Sequence, residues 1–250
     1  MKSKKPFILL FSLLLVCSIW AKAGHSGTNV STEYPFKSHS IEEYDPRSVA
    51  EEQDLSEQLS IMMGHLRAGL ALFEVAEHAM GTPHLMHPIR ETSEGQRNVL
   101  KSYGFDEKDF EFLADSIGVE SPNLSVMADV LSLISSMESL QTRLASDPFR
   151  NILTLLNLAV EEYEIAVKGE VISDVSEYQD SYGFILEAKK QSARLKKVEA
   201  SAALSILDSL EVLWINGVLP PSKPTSTSKV AKRIGDAIEE LRELQDVSAK

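Results

Sequence analysis

The sequence predicts an all-α fold, a helical bundle assembled from antiparallel helix hairpins. Three observations predict it. Only 12 glycines occur in 250 residues, alternating β-branched runs are missing, and long stretches of Leu, Ala, Glu and Lys repeat with helical period.

The chain opens with Met1-Lys2-Ser3-Lys4-Lys5, an apolar run from Pro6 to Trp20, and Ala21-Lys22-Ala23, whose small residues suit a signal peptidase. Residues 1–23 read as a cleavable secretory signal. The apolar run falls short of the ~20 residues that a spanning helix needs, so no membrane span is expected after cleavage. Export in turn predicts a periplasmic location. Cys17, the one cysteine, lies in this segment, and lipidation there would require cleavage after the bulky Val16. Without residues 1–23 the chain has no thiolate ligand and no disulfide. Loss of the four lysines in the segment moves the formal net charge from −12 to −16. That disfavours nucleic acid and acidic membrane surfaces as partners, and favours cations.

Residues 24–47 are polar, lack a helical period and read as a mobile arm. Residues 48–146 follow as His- and Met-rich helical hairpins. The first helix is expected from about Ser48 to Ala79, with Leu55, Leu59, Met62, Leu66, Leu70, Phe73 and Met80 on one stripe. Arg67, Glu74 and His78 fall on the far side, and Gly81-Thr82-Pro83 reads as the stop. A second helix is expected from His84 or Pro88 to Ser102, ended by Tyr103-Gly104-Phe105. Asp106 looks like the cap of a short helix to Ile117. Ser121-Pro122 opens another, with apolar residues at Val126, Val130, Leu133 or Ile134, Met137 and Leu140.

Residues 147–250 read as a helical bundle. Asp147-Pro148 starts a helix to Lys168, with Gly169 as its cap. Glu177 to about Ile215 is helical again, with a break expected near Glu199 and a basic run at Lys189, Lys190, Arg194, Lys196 and Lys197. Residues 216–228, rich in Pro and Ser, form a linker. The last helix, Lys229 to about Val247, repeats Val230, Ile234, Ala237, Leu241 and Leu244, and must pack its apolar stripe back on the bundle.

Chemistry concentrates in Met62–Glu91, which holds four of the six histidines and four of the seven methionines. His84, His87 and Glu91 are spaced i, i+3, i+7 and project from one face within about 60° if the helix continues through Pro88. Two imidazoles and a carboxylate suit divalent iron, zinc or copper. Met80 and Met86 would favour copper, although methionine also fills gaps in cores. His65 and His78 are separated by a rotation of about 220° and cannot share an ion on one straight helix. His65 sits beside Gly64 in a seam of small residues where another helix can approach closely, and there it reads first as a hydrogen-bonded core residue. His78 has Glu74 one turn before it, a pair that suits either a metal or a solvated ion pair. A second acidic stretch, Glu161-Glu162-Tyr163-Glu164 and then Glu177-Tyr178-Gln179-Asp180, offers hard oxygen donors. Glu177 and Asp180 share a helix face.

The order Glu162-Tyr163, Val167-Lys168-Gly169-Glu170-Val171, Glu177-Tyr178-Gln179-Asp180 and Gly183-Phe184 resembles the helical periplasmic extension of bacterial high-affinity iron permeases. The resemblance covers Glu162 to Phe184 and implies a role beside an inner-membrane metal permease. The layout is also similar to imelysin-like periplasmic iron-uptake proteins. Their Gly-x-His-x-x-Glu is not matched: Gly64 directly precedes His65, and Ala68 stands where the acid would be.

Three functions are therefore expected in order. The first is a periplasmic accessory protein of metal uptake or homeostasis, holding a transition metal, iron before copper or zinc. Its ligands would come from His84, His87, Glu91, His65, His78, Glu177 and Asp180. The second is a copper-handling protein, and the third a metal-free interaction scaffold. No nucleophile elbow, phosphate loop or His-Glu-x-x-His is present, so an enzyme is not expected.

Overall fold

The computed structural model describes residues 46–117 and 123–248. The predicted signal, nearly all of the arm and the Ser121-Pro122 helix start lie outside them. Residues from 45 onward form one unit by themselves. Nine helices and one two-stranded ribbon are present among the described residues, an all-α fold as expected.

Helix α1 spans Pro46–Glu74, and α2 spans His78–Glu91. The stop falls earlier than the Gly81-Thr82-Pro83 signal suggested. Ala76 adopts φ 64°, and the Glu77 amide bonds back to the Leu72 carbonyl at 2.8 Å. This is a left-handed C-terminal cap formed without the glycine that normally marks it. Gly81 instead lies inside α2, packed on α1, and α2 runs through both Pro83 and Pro88. Glu74 and His78 are thus on different helices, so the predicted one-turn pair does not form.

Helices α3, Glu94–Ser102, and α4, Lys108–Ile117, follow, separated at Gly104 with φ 100°. Thr92 and Ser93 divide the predicted second helix, and Ser93 opens α3 with a reciprocal cap to Gln96. Helix α5, Asn123–Gln141, leads to Asp147, whose carboxylate caps α6, Pro148–Ala166. That helix stops two residues short of Lys168. Val167–Lys168 (β1) pairs antiparallel with Val171–Ile172 (β2), and Gly169 at φ 67° makes the tight turn rather than a helix cap.

Helix α7, Val175–Ser192, is capped by Asp174, and α8 covers Lys197–Glu211. The interruption lies at residues 193–196. Glu199, where a break was expected, is inside α8 and accepts a bond from the Lys196 amide at 3.2 Å. Residues 212–226 form turns, and α9, Thr227–Ser248, packs on α6 and α8.

Two apolar clusters result. One gathers Leu59, Met62 and Leu66 of α1 with Leu85, Phe110, Val130 and neighbours. The other gathers Leu155, Tyr163, Tyr178, Ile185, Trp214 and Ile234 from α6 to α9 and its preceding loop. Helix α1 lies against α2, α5, α6 and α7, so it is buried on more than one side. That accounts for Arg67, expected on an outer face. Its guanidinium is buried, with Nε donating to Glu187 at 2.7 Å and Nη2 to Glu138 at 2.9 Å. A polar seam continues from Glu187 through Gln191 and Gln141 to Ser60.

Glycines allow two close helix approaches. A Cβ at Gly183 of α7 would lie 2.4 Å from the Gly64 carbonyl of α1, and one at Gly69 of α1 would lie 2.4 Å from Leu85 of α2. Small residues thus let α2 and α7 come up to the same stretch of α1.

Candidate metal centre

That stretch of α1 carries His65. Because α7 approaches through Gly183, Asp180 one turn earlier reaches His65, and its Oδ1 accepts from Nδ1 at 2.8 Å. Because α2 approaches through Gly81, the two histidines that follow on its inner face reach the same carboxylate. His84 Nδ1 lies 2.8 Å from Asp180 Oδ1, and His87 Nδ1 lies 3.3 Å from Oδ2. Three imidazoles from two helices converge on one buried aspartate.

Among the described residues, the group able to hold a metal is His65, His87 and Asp180, with donor atoms all within 4.8 Å of one another. Bonds of about 2.1 Å from nitrogen and oxygen to an ion place donors roughly 3 Å apart. The 3.3 Å between His87 Nδ1 and Asp180 Oδ2 is close to that separation, whereas the 4.8 Å span of the group exceeds it, so the three side chains would have to draw together to hold an ion. Glu91, the last residue of α2, adds a fourth donor: its Oε2 lies 3.3 Å from His65 Nε2, and its Oε1 lies 3.9 Å from His87 Nδ1.

His84 is buried, and both of its nitrogens are engaged, Nδ1 with Asp180 and Nε2 with Gln179 Oε1 at 2.8 Å. It shares Asp180 Oδ1 with His65 and stands outside the group of three. Gln179 in turn donates from Nε2 to the Met80 sulfur at 3.6 Å. His78, predicted as a candidate ligand, lies away from the group with its ring 4.9 Å from that of Phe73. It opens α2, beyond the break at Ala76. Glu177 does not join the triad either. Its carboxyl group shares a hydrogen bond with Glu162 on α6.

The electrostatics follow from burying acids and imidazoles together. Burial opposes charge on His65, but Asp180 at one nitrogen and Glu91 at the other raise its pKa to about 10. Burial likewise opposes a charged His84, and hydrogen bonding to Asp180 raises its pKa nevertheless. Burial alone would raise Asp180, yet His65, His84 and His87 hold its carboxyl well below the usual range. Glu91 is lowered against its own burial by His65 and His87. Burial and the shared hydrogen bond raise Glu162, and burial raises Glu177. The cluster thus balances cationic imidazoles against carboxylates. An ion would take over that role, displacing ring protons as it binds.

Gln179 and Glu162 were not among the predicted site residues. Both stand in the stretch that carries the permease resemblance, but spacing alone does not separate Glu162 from its neighbours in the acidic run 161–164, and Gln179 is not a metal-ligand residue type.

No curated protein and no solved structure matches the chain. Residues 141–248 match the family model of the iron permease-associated 4-helix bundle domain, and this span contains the Glu162 to Phe184 stretch. The match associates this part of the chain with iron transport. It includes Asp180, Gln179 and Glu162, while His65, His84, His87 and Glu91 lie before it. Residues 141–248, which include helices α6 to α9, are thus similar to the iron permease-associated 4-helix bundle domain.

Proposed function

We propose that the chain is an exported, periplasmic metal-binding protein that serves an iron permease as an accessory, with iron as its cargo. The observation that carries this reading is the convergence of His65, His87 and Asp180 from three helices to within 4.8 Å. Two imidazoles and one carboxylate, with further positions open, are a donor set suited to divalent iron. Asp180 and Glu91 supply hard oxygens at the histidines, whereas the Met80 sulfur is occupied by the Gln179 amide. That contrast favours iron over copper. The iron permease-associated domain and the acidic charge support the same reading.

The test uses the protein lacking residues 1–23, exposed anaerobically to iron(II), copper and zinc, followed by metal analysis. The wild type should hold about one ion per chain, with iron retained. Asp180→Asn and the pair His65→Ala with His87→Ala should lose it while keeping their helix content. Equal metal in wild type and variants would refute the assignment.

A further inference from the structure

The four donors are graded by depth. Side-chain exposure is 1% for Asp180, 8% for His65, 20% for His87 and 50% for Glu91. Glu91 is also the last residue of α2, where the backbone turns to extended at Thr92. The two nitrogens of His65 face different partners: Nδ1 meets the buried Asp180 at 2.8 Å and Nε2 meets the exposed Glu91 at 3.3 Å. One imidazole therefore has an inner side facing Asp180 and an outer side facing Glu91, and His87 Nδ1 stands between the two carboxylates, 3.3 Å from Asp180 Oδ2 and 3.9 Å from Glu91 Oε1. With metal–nitrogen bonds of about 2 Å on each side of the ring, ions at these two positions would be roughly 6 Å apart.

We infer that Glu91 and the outer nitrogen of His65 form an exchange station, through which the ion passes between solvent and the inner His65, His87 and Asp180 site. This rests on the metal-binding reading above and assigns the route of its cargo. An arriving ion meets the Glu91 carboxylate first, because it is the one donor of the four that stands half in solvent. It is held between Glu91 and His65 Nε2, then moves inward to His87 and Asp180. As the ion moves inward, Nδ1 releases its proton and Nε2 takes one back from solvent, so that with the inner site filled His65 Nδ1 ligates the ion and Nε2 carries the ring proton. That N–H donates to Glu91, which now orients the ring as an outer-shell carboxylate. Departure reverses these contacts. Glu91 thus lowers the barrier in both directions, while the buried donors set the affinity.

The test is anaerobic stopped-flow mixing of the protein lacking residues 1–23 with cobalt(II) and with iron(II), with dissociation followed on mixing with excess chelator. Glu91→Gln should slow association and dissociation alike by about tenfold, the lower end of typical outer-shell effects, so that Kd stays within about threefold. Glu94→Gln, which removes the same charge three residues on in the first turn of α3, should leave both rates within about twofold. In zinc-loaded wild type, nitrogen NMR should find His65 Nε2 protonated. Wild-type rates in Glu91→Gln would overturn the exchange station. So would a variant that only dissociates faster, which would make Glu91 an ordinary fixed ligand, or a loaded His65 ligated through Nε2. If the wild type bound neither ion, the metal-binding reading itself would fall.

Discussion

Adding one methyl group at Gly183 should disable the proposed metal centre without touching any of its proposed ligands. A Cβ there would lie 2.4 Å from the Gly64 carbonyl oxygen, 2.8 Å from Ala68 Cβ and 3.0 Å from the Ala68 nitrogen. Comfortable contact needs about 3.5 Å, so α1 and α7 must part by roughly 1 Å at this level. Asp180 lies one turn away on α7, and its 2.8 Å bond to His65 would stretch toward about 3.8 Å, beyond hydrogen-bond range. Overpacking costs about 1–3 kcal/mol, and the upper end applies because the collision is with backbone that cannot rotate away. For a chain of this size that corresponds to a fall in Tm of about 6–12 °C. Metal affinity should weaken by about 10–100-fold, as for a misplaced supporting contact. Gly235→Ala is the matched control, since its added Cβ meets nothing within 4 Å. There the gain in helix propensity should raise stability by about 0.5–1 kcal/mol. Thermal melts and titration calorimetry read both effects. A Gly183→Ala protein melting within 2 °C of wild type with unchanged Kd would refute the close-approach argument.

Four further outcomes are expected. Ala76 holds φ 64° at the end of α1, so Ala76→Gly should raise stability by about 1 kcal/mol in urea unfolding; a loss would mean that the Ala76 methyl is needed there. Arg67→Met leaves Glu187 buried without its guanidinium and should cost about 3–5 kcal/mol, whereas adding Glu187→Met should recover most of it. An unchanged denaturation midpoint in the single variant would contradict this. Burial raises the phenol of Tyr163 to about 12 and those of Tyr178 and Tyr182 further. The unfolded chain then loses these protons first, so their contribution is complete below about pH 10 and falls as pH rises toward 12 and beyond. Ultraviolet titration should show these phenols ionising only as the protein unfolds, and normal titration of all six tyrosines before unfolding would contradict the burial. Finally, iron(II) or cobalt(II) at a hundred times Kd should stabilise the wild type by about 2.7 kcal/mol and Asp180→Asn not at all. An equal shift in both proteins would place the ion elsewhere.

Much of this molecule follows from local pattern. The apolar repeat of α1, the Asp147-Pro148 start of α6 and the return of α9 to the bundle are all readable from 3.6-residue spacing and capping chemistry. The same spacing put His87 and Glu91 on one face, and the small residues around His65 announced that a helix would approach there. Local pattern misled where a local signal had another use. Gly81 looks like a helix stop but makes room for α1, and Ala76 ends α1 without a glycine to mark it. Gly169 turns a β-ribbon.

What spacing could not supply was the partnership among these parts. His65, His87 and Asp180 are separated by up to 115 residues, and Asp180 resembles any acid on a helix surface until α7 is docked. Whether those donors meet depends on how closely pairs of helices pack. Here that distance is set by glycines facing each other across the contacts, Gly64 with Gly183 and Gly69 with Gly81. Sequence alone determined which side chains each helix presents, because periodicity is a property of one helix. Only the tertiary structure decided that an aspartate from α7 would sit among histidines from α1 and α2, because an interhelical distance belongs to two elements at once.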